Sequence, residues 1–214
     1  FVAISSISLA QTYTFTTATA TGNVGPNQAM VDAEYTGTTL DGAVTVTGGI
    51  QEWTVPVTGN YSIEAFGGQG YGAFGGRGAH IYGEFNLTAG TVLKVLVGQQ
   101  AGDYLNFPAT TYNHQFGGGG GSFITDVTNT PYIVAGGGGG NHAANYLTAC
   151  DAQITEAGSI GAQGATVGAG GTGGNGGLQA SSADAGGGLL TNGTGIAGGQ
   201  AFINGGLGDR KSVV

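Results

Sequence analysis

Gly117-Gly-Gly-Gly-Gly121, then the apolar segment opening Ser122-Phe-Ile-Thr125 and closing Pro131-Tyr-Ile-Val-Ala135, then Gly136-Gly-Gly-Gly-Gly140, is the stretch on which the reading of this chain turns. Two runs of five glycines bracket β-like sequence, and most of the glycines of the chain follow Phe116. Of 214 residues, 48 are Gly. Glycine loses more backbone freedom on folding than any other residue, and fixing one residue costs about 1–2 kcal/mol. Such a stretch is either disordered or folds into something only glycine can build.

Composition favours order. A flexible linker mixes Gly with Ser and charge, and disorder pairs few apolar residues with high net charge. Here 40% of residues are hydrophobic and 7% charged, against about 25% charged in ordinary domains. The glycine-rich tract keeps Ile154, Ile160, Val167, Leu178, Leu189, Leu190, Ile196, Phe202 and Ile203. Its spacing points the same way. Gly158, Gly161, Gly164, Gly170, Gly173 and Gly176 fall on one three-residue grid, interrupted at Val167. Three residues per turn is the polyproline II period, which leaves backbone groups unbonded within the helix. Collagen shares the period but needs frequent proline, and no proline follows Pro131. A bundle of polyglycine II helices is the ordered structure that fits, with N–H and C=O groups bonding between helices. A compositionally biased flexible spacer is the alternative.

The net charge of −8 and pI near 4.4 argue against nucleic acid as a partner, because binding it rests on Lys and Arg neutralising phosphates. A basic protein partner or a cation is compatible with this charge, and so is plain solubility. Cys150 is the single cysteine. It reads as a thiol with a partner outside the chain, as a free thiol, or as a small buried apolar residue.

Both ends carry unusual sequence. Residues 1–10 run apolar into Ser8-Leu9-Ala10, small residues of the kind a signal peptidase reads, with Gln11 as the mature start. The alternative for this remnant of a signal peptide is an ordinary hydrophobic strand. The last residues, Asp209-Arg-Lys-Ser-Val-Val214, hold two of the four basic residues and resemble a translated sequencing adapter. Residues 209–214 are therefore set aside as an artefact, and the natural chain is expected to continue past Gly208 as part of a larger protein. No stretch approaches the ~20 apolar residues of a membrane-spanning helix.

Between these ends the pattern is β. Thr12–Thr17 and Ala43–Thr47 read as strands within an N-terminal β region, 11–50, separated by a loop at Gly22–Gln28. In 51–135, strands are expected at Gln51–Pro56, Tyr61–Phe66, Ala79–Phe85, Val92–Val97, Ser122–Thr125 and Pro131–Ala135. No capped helical periodicity is visible. Strands at this spacing indicate an all-β sandwich, with Trp53, Phe66, Tyr82, Phe85, Leu93 and Val95 in or bordering the core. The glycine-rich region is placed at 136–208.

The run Trp53-Thr-Val-Pro56, Gly59-Asn-Tyr61, Glu64-Ala-Phe-Gly67, Gly75-Gly-Arg-Gly-Ala79, Phe85-Asn-Leu87, Val97-Gly-Gln99, Gly118–Phe123 and Ile133–Gly140 resembles the glycine-rich extracellular domain of the anaplastic lymphoma kinase and leukocyte tyrosine kinase receptors, a domain also found in bacterial secreted proteins. The resemblance covers Glu52 to about Gly208. It implies a TNF-like jelly-roll sandwich carrying a polyglycine II bundle. It also implies a ligand-binding role outside the cell, with an unknown protein or glycan as the ligand. Ligand contacts of the receptors have no clear matching positions here, so none is carried over.

Catalytic constellations are missing from the sequence. Gly70-Tyr-Gly-Ala-Phe-Gly75 fits G-x-G-x-x-G, but a strand rather than a helix follows, and chance accounts for it in so glycine-rich a chain. The kinase set of β3 lysine, H-R-D and D-F-G is absent. His80, His114 and His142 lie far apart, and Asn60, Asn86 and Asn192 occupy N-x-[ST] sequons. The expectation is a non-enzymatic extracellular recognition or adhesion domain with no cofactor, metal or catalytic residue. A rigid spacer and an ice-binding polyglycine II protein are the alternatives. If the tract is ordered, amides across Gly158–Gly176 resist hydrogen exchange in a chain spanning Gln11–Gly208; uniformly unprotected amides there identify a random coil.

Overall fold

A computed structural model describes residues 1–6, 11–71, 74–101, 117–140, 148–158, 160–163, 166–179, 185–195 and 198–208. The chain forms β1 (Val2–Ser6), β2 (Gln11–Phe15), α1 (Gln28–Tyr35), β3 (Val44–Thr47), β4 (Ile50–Thr54), β5 (Gly59–Phe66), β6 (His80–Leu87), β7 (Val92–Leu96), β8 (Ser122–Thr125) and β9 (Pro131–Ala135). A short hairpin, β10 (Gly161–Gln163) with β11 (Thr166–Gly168), follows. Two antiparallel sheets result, ordered β2-β1-β5-β6 and β3-β4-β7-β8-β9.

The sheets face one another because each strand alternates. In β5, Tyr61, Ile63 and Ala65 point inward and are buried, while Ser62, Glu64 and Phe66 take the other face. The core joins Val2, Ile4 and Phe15 of the first sheet to Val44, Leu93, Val95 and Ile133 of the second. Trp53 is its centre, 2% exposed, with ring centroids 4.5 Å from Tyr13, 6.1 Å from Phe15 and 6.3 Å from Tyr61. This is an all-β sandwich with one helix.

That helix was not expected, because the sequence shows no helical periodicity; the loop expected at Gly22–Gln28 runs up to it, and only Gln28 belongs to the helix. Asn27 caps α1 by accepting from the Met30 N–H at 3.0 Å. Eight residues bury only Val31 and Tyr35, too few to register as a period. Tyr35 carries the helix into a buried polar network. Its hydroxyl donates to Gln51 Oε1 at 2.6 Å, and Gln51 Nε2 donates to the Thr16 carbonyl at 2.9 Å. The helix also covers the edge of β3. Gln28 Oε1 accepts from the Val46 N–H and its Nε2 donates to the Val44 carbonyl, both at 2.9 Å. An edge strand left unpaired is a site of aggregation.

Val2–Ser6, read above as part of a leader, is a strand between β2 and β5, with Val2 and Ile4 fully buried. Residues 7–10, where cleavage was placed, and 209–214 lie outside the described residues. Phe66 and Tyr82 were expected at the core; the structure turns both outward. Tyr82 is 59% exposed, because β6 buries Leu87 and directs the alternate positions His80, Tyr82, Glu84 and Asn86 to solvent. Trp53, Leu93 and Val95 are in the core and Phe85 packs against it.

Glycine segments continue the strands at one end of the sandwich. Residues 67–71 leave β5, 75–79 enter β6, 98–101 follow β7, 117–121 enter β8 and 136–140 leave β9. The last of these sits among the others. Gly138 N–H donates to the Gly68 carbonyl at 2.9 Å, and the Gly138 carbonyl accepts from Gly119 at 2.8 Å. Gly139 accepts from Gly76 at 3.0 Å and donates to Cys150 at 2.7 Å. One segment thus bonds to four neighbours, where a strand in a sheet bonds to two. Close approach requires this composition. A Cβ on Gly138 would run into the Gly76 carbonyl, and one on Gly76 into the Cys150 carbonyl. The glycine assembly therefore draws on residues well before 136, the point at which the sequence reading began it.

The second half is less uniform than its grid. A Cβ on Gly170 would strike the Gly158 carbonyl, as the grid requires. Gly173 instead sits in a turn at φ +58° with open space around it. Gly164 lies outside the described residues, and Gly161 and Val167 belong to the β10–β11 hairpin. A second apolar cluster, Phe123, Leu189 and Phe202, ties this half to the outer face of the second sheet, with the Phe123 and Phe202 rings stacked at 5.3 Å.

Gly138→Ala is expected to destabilise the fold by about 1–3 kcal/mol or more, as overpacking does. Gly186→Ala, where nothing lies within 4 Å of the added carbon, stays within about 0.5 kcal/mol. Urea unfolding of both variants measures the difference; equal losses would mean that the contact at Gly138 does not limit stability.

Candidate recognition face

The two outer faces of the sandwich differ. Phe202 and Leu189 cover part of the second sheet. The outer face of the first sheet carries a ladder of exposed and half-exposed side chains along β5 and β6. Cross-strand register pairs Asn60 with Asn86, Ser62 with Glu84, Glu64 with Tyr82 and Phe66 with His80.

Rings occupy one end of the ladder. Phe66 stacks on His80 with centroids 4.3 Å apart and planes 8° from parallel, and Phe1 stacks on Phe66 at 4.8 Å. Two carboxylates, Glu64 and Glu84, stand among Asn60, Ser62, Tyr82 and Asn86 along the rest. His80 Nε2 lies 2.6 Å from Glu64 Oε1, with both side chains substantially exposed at 52% and 38%. The Tyr82 hydroxyl donates to Glu84 Oε1 at 2.8 Å, and Asn60 Nδ2 donates to Glu84 Oε2 at 3.4 Å. The hydrogen bond to the Glu84 carboxylate holds the Tyr82 hydroxyl in its neutral form, so its pKa rises above the ordinary 10.0. The described basic side chains lie elsewhere. Lys94, on β7, donates to the Val127 carbonyl and Asn129 Oδ1, both at 3.1 Å. The Arg77 backbone N–H donates to Asp151 at 2.7 Å.

The other residues singled out in the sequence scatter. His114 and His142 lie outside the described residues, as does part of the 70–75 glycine pattern; Gly70 bonds to Gly76 within the glycine assembly. Cys150 is fully buried beneath it. Asn192 Oδ1 accepts from Ala201 N–H and Asn204, which fixes a loop. Among the described residues no group of three or more His, Cys, Asp or Glu side chains could hold a metal ion, and no helix is long and apolar enough to cross a membrane. A cleft of about 830 Å³ runs between the second sheet and the glycine-rich half. Glycine backbone forms much of its wall, and Glu156 is the single ionisable side chain among its described lining residues.

The face on β5 and β6 went unseen in the sequence because its aromatic residues were assigned to the core. The alternation Tyr61/Ile63/Ala65 against Ser62/Glu64/Phe66 was the signal that could have found it.

An open face of aromatic rings and hydrogen-bonded carboxylates thus lies on the outside of the first sheet. No protein-family model matches the chain. It is 35% identical over 99 residues to the leukocyte tyrosine kinase receptor of Mus musculus. The match covers 42% of the chain and 11% of that receptor, so the chain spans a small part of its relative's length. The chain is a distant relation of that receptor family.

Because Tyr82 stands on the surface, Tyr82→Ala is expected to leave stability within about 0.5 kcal/mol, while Trp53→Ala costs about 3–5 kcal/mol. Glu84→Gln should bring the Tyr82 pKa back toward 10. Nuclear magnetic resonance titration of the Tyr82 ring follows this directly, and an unmoved pKa would show that the Glu84 contact is not what raises it.

Proposed function

We propose that the chain is an extracellular, non-catalytic recognition domain of a larger secreted or surface protein. Its finer architecture would be a TNF-like jelly roll whose glycine segments form a polyglycine II bundle. The similarity to a tyrosine kinase receptor over 99 residues carries this reading. It gains support from the kinase residues being absent from the sequence, which leaves binding as the role to transfer. The multi-neighbour bonding of Gly138 and Gly139 favours the polyglycine II assignment. The ligand is a protein or a glycan.

A rigid-spacer reading also has an observation behind it. Glycine segments held by backbone bonds on several sides make a stiff rod that can set a distance between other domains. Binding separates the two. The chain is screened against immobilised basic peptides and surface glycans at low and physiological salt. A recognition domain binds at least one saturably. Complementary charge would make association with a basic peptide slow as salt rises, over a Debye length of about 8 Å at physiological ionic strength. No binding above background leaves the spacer, and turnover of any substrate would defeat both.

A further inference from the structure

We propose that β6 pairs edge to edge with β6 of a second copy of this chain, antiparallel and centred on Gly83, so that the first sheets of the two copies join into one continuous sheet. The proposal goes beyond the ligand reading above and does not depend on it.

The fold guards its other sheet edges and leaves this one bare. An open strand edge is a template for another strand, and proteins cover, kink or charge such edges. Gln28 of α1 covers β3. The outer side of β2 is met by Thr39, whose hydroxyl donates to the Thr12 carbonyl at 2.7 Å. β9 opens on Pro131, and its register against β8 shifts at Ile124/Thr125. β6 has no proline, no lysine and no shift, and its eight residues pair with β5 alone in one unbroken register.

Hydrogen-bond direction shows which backbone groups are left over. The Phe66 N–H donates to the Phe1 carbonyl, and the Gly67 N–H donates to the Ala79 carbonyl. Even-numbered residues of β5 therefore bond toward β1 and odd-numbered ones toward β6. Across the β5–β6 register, Ile81, Gly83, Phe85 and Leu87 are the residues that exchange bonds with β5. The N–H and C=O groups of His80, Tyr82, Glu84 and Asn86 point the other way, out from the edge. Among the described residues these groups have no hydrogen-bond partner.

Those four residues are symmetric about Gly83, and this selects the occupant. With Gly83 opposite Gly83 of the second copy, His80 faces Asn86 and Tyr82 faces Glu84, each twice. All four outward-pointing residues of each strand then exchange both backbone bonds. A slide of two residues either way leaves some of them unmatched, and one of the slides sets Glu84 against Glu84. A slide of one residue mixes the two faces of the sheet. In the centred register no carboxylate opposes another. Glu84 meets Tyr82, which is already its hydrogen-bond donor at 2.8 Å within one strand. On the inner side Ile81 meets Phe85 of the second copy. Both are half-buried at the rim of the core, and the pairing covers them. The twofold also ends the assembly, because the joined sheet terminates at the guarded β2 on both sides. An isologous contact of this kind closes as a dimer instead of growing into a fibre.

Sedimentation equilibrium of the full chain from about 1 µM to 1 mM is expected to show a rise from monomer to dimer mass and no further. Amide exchange followed by nuclear magnetic resonance at both ends of that range locates the contact. The His80, Tyr82, Glu84 and Asn86 amides should gain protection of about 10-fold or more in the concentrated sample, while those of Ile81, Gly83 and Phe85 are protected in both. Charge tests the register. Tyr82→Lys brings an ammonium opposite Glu84 of the second copy and should tighten the dimer several-fold; Tyr82→Glu sets like charges opposite and should loosen it by a similar factor. Melting curves of dilute samples separate loss of the dimer from loss of the fold. A monomer at every concentration overturns the proposal, and so does a dimer whose four alternate amides stay unprotected. Protection of those amides in the dilute monomer overturns it as well, since the chain would then cover its own edge. Weakening by both charge variants places Tyr82 against Tyr82 and overturns the centred register.

Discussion

Backbone in contact with backbone, with no side chain between, is the constraint on which the rest of this molecule depends. Gly138 meets the Gly76 carbonyl and Gly76 meets that of Cys150 at distances that no Cβ survives. Ordering each glycine costs about 1–2 kcal/mol, while a hydrogen bond returns a net of about 0.5–1.5 kcal/mol. An isolated glycine segment would not hold. Here the sandwich changes the balance. Residues 67–71, 75–79, 98–101, 117–121 and 136–140 all continue strands β5 to β9 at the same end of the sheets. Antiparallel pairing by itself holds those strand ends together. Their position and direction are then set by a core centred on Trp53, and much of the closure entropy is met there.

The same arrangement divides labour within the chain. A segment that must be bare of side chains offers only backbone N–H and C=O groups. The cleft beside the glycine-rich half shows the consequence: it is large, yet Glu156 alone is ionisable among its described lining residues. The side chains lie on the sandwich, and there the two outer faces are unequal. Phe202 and Leu189 pack against the second sheet through Phe123. Ser122 is buried nearby, its hydroxyl bridging the Phe66 carbonyl at 2.6 Å and the Gly98 N–H at 2.9 Å. The first sheet keeps its aromatic and carboxylate ladder open.

Much of the fold was legible because alternation and glycine punctuation are local signals. Pro131–Ala135 and Ser122–Thr125 emerge with the bounds expected, and other strands shift by a few residues at their ends. What failed depended on tertiary context. A helix of eight residues with two buried side chains leaves no period to detect; its cap at Asn27 sits in a Gly-Pro-Asn stretch that reads equally well as a loop. Tyr82 and Phe66 look like core residues by size. Which face of a strand is inward depends on pairing partners, here Glu64 and His80. Gly173 fits the three-residue grid by number but serves a left-handed turn, and a grid cannot distinguish a contact glycine from a turn glycine. The recognition face was hidden for the same reason as Tyr82: both follow from register.

Register also fixes what the outer face presents. Moving β6 by one residue against β5 would bury His80, Tyr82 and Glu84 and expose Ile81, Phe85 and Leu87. The core resists that slip at Leu87, which is 2% exposed, and at Phe85, whose ring meets Tyr132 of β9 edge-on at 5.4 Å. Gly83 lies between Ile81 and Phe85 on the inner side, with the Phe85 ring over the place a Cβ would take. The inward half of β6 therefore fixes the positions of the outward half. The contacts that bury one face of this strand are what hold Tyr82 and Glu84 at hydrogen-bonding distance on the other.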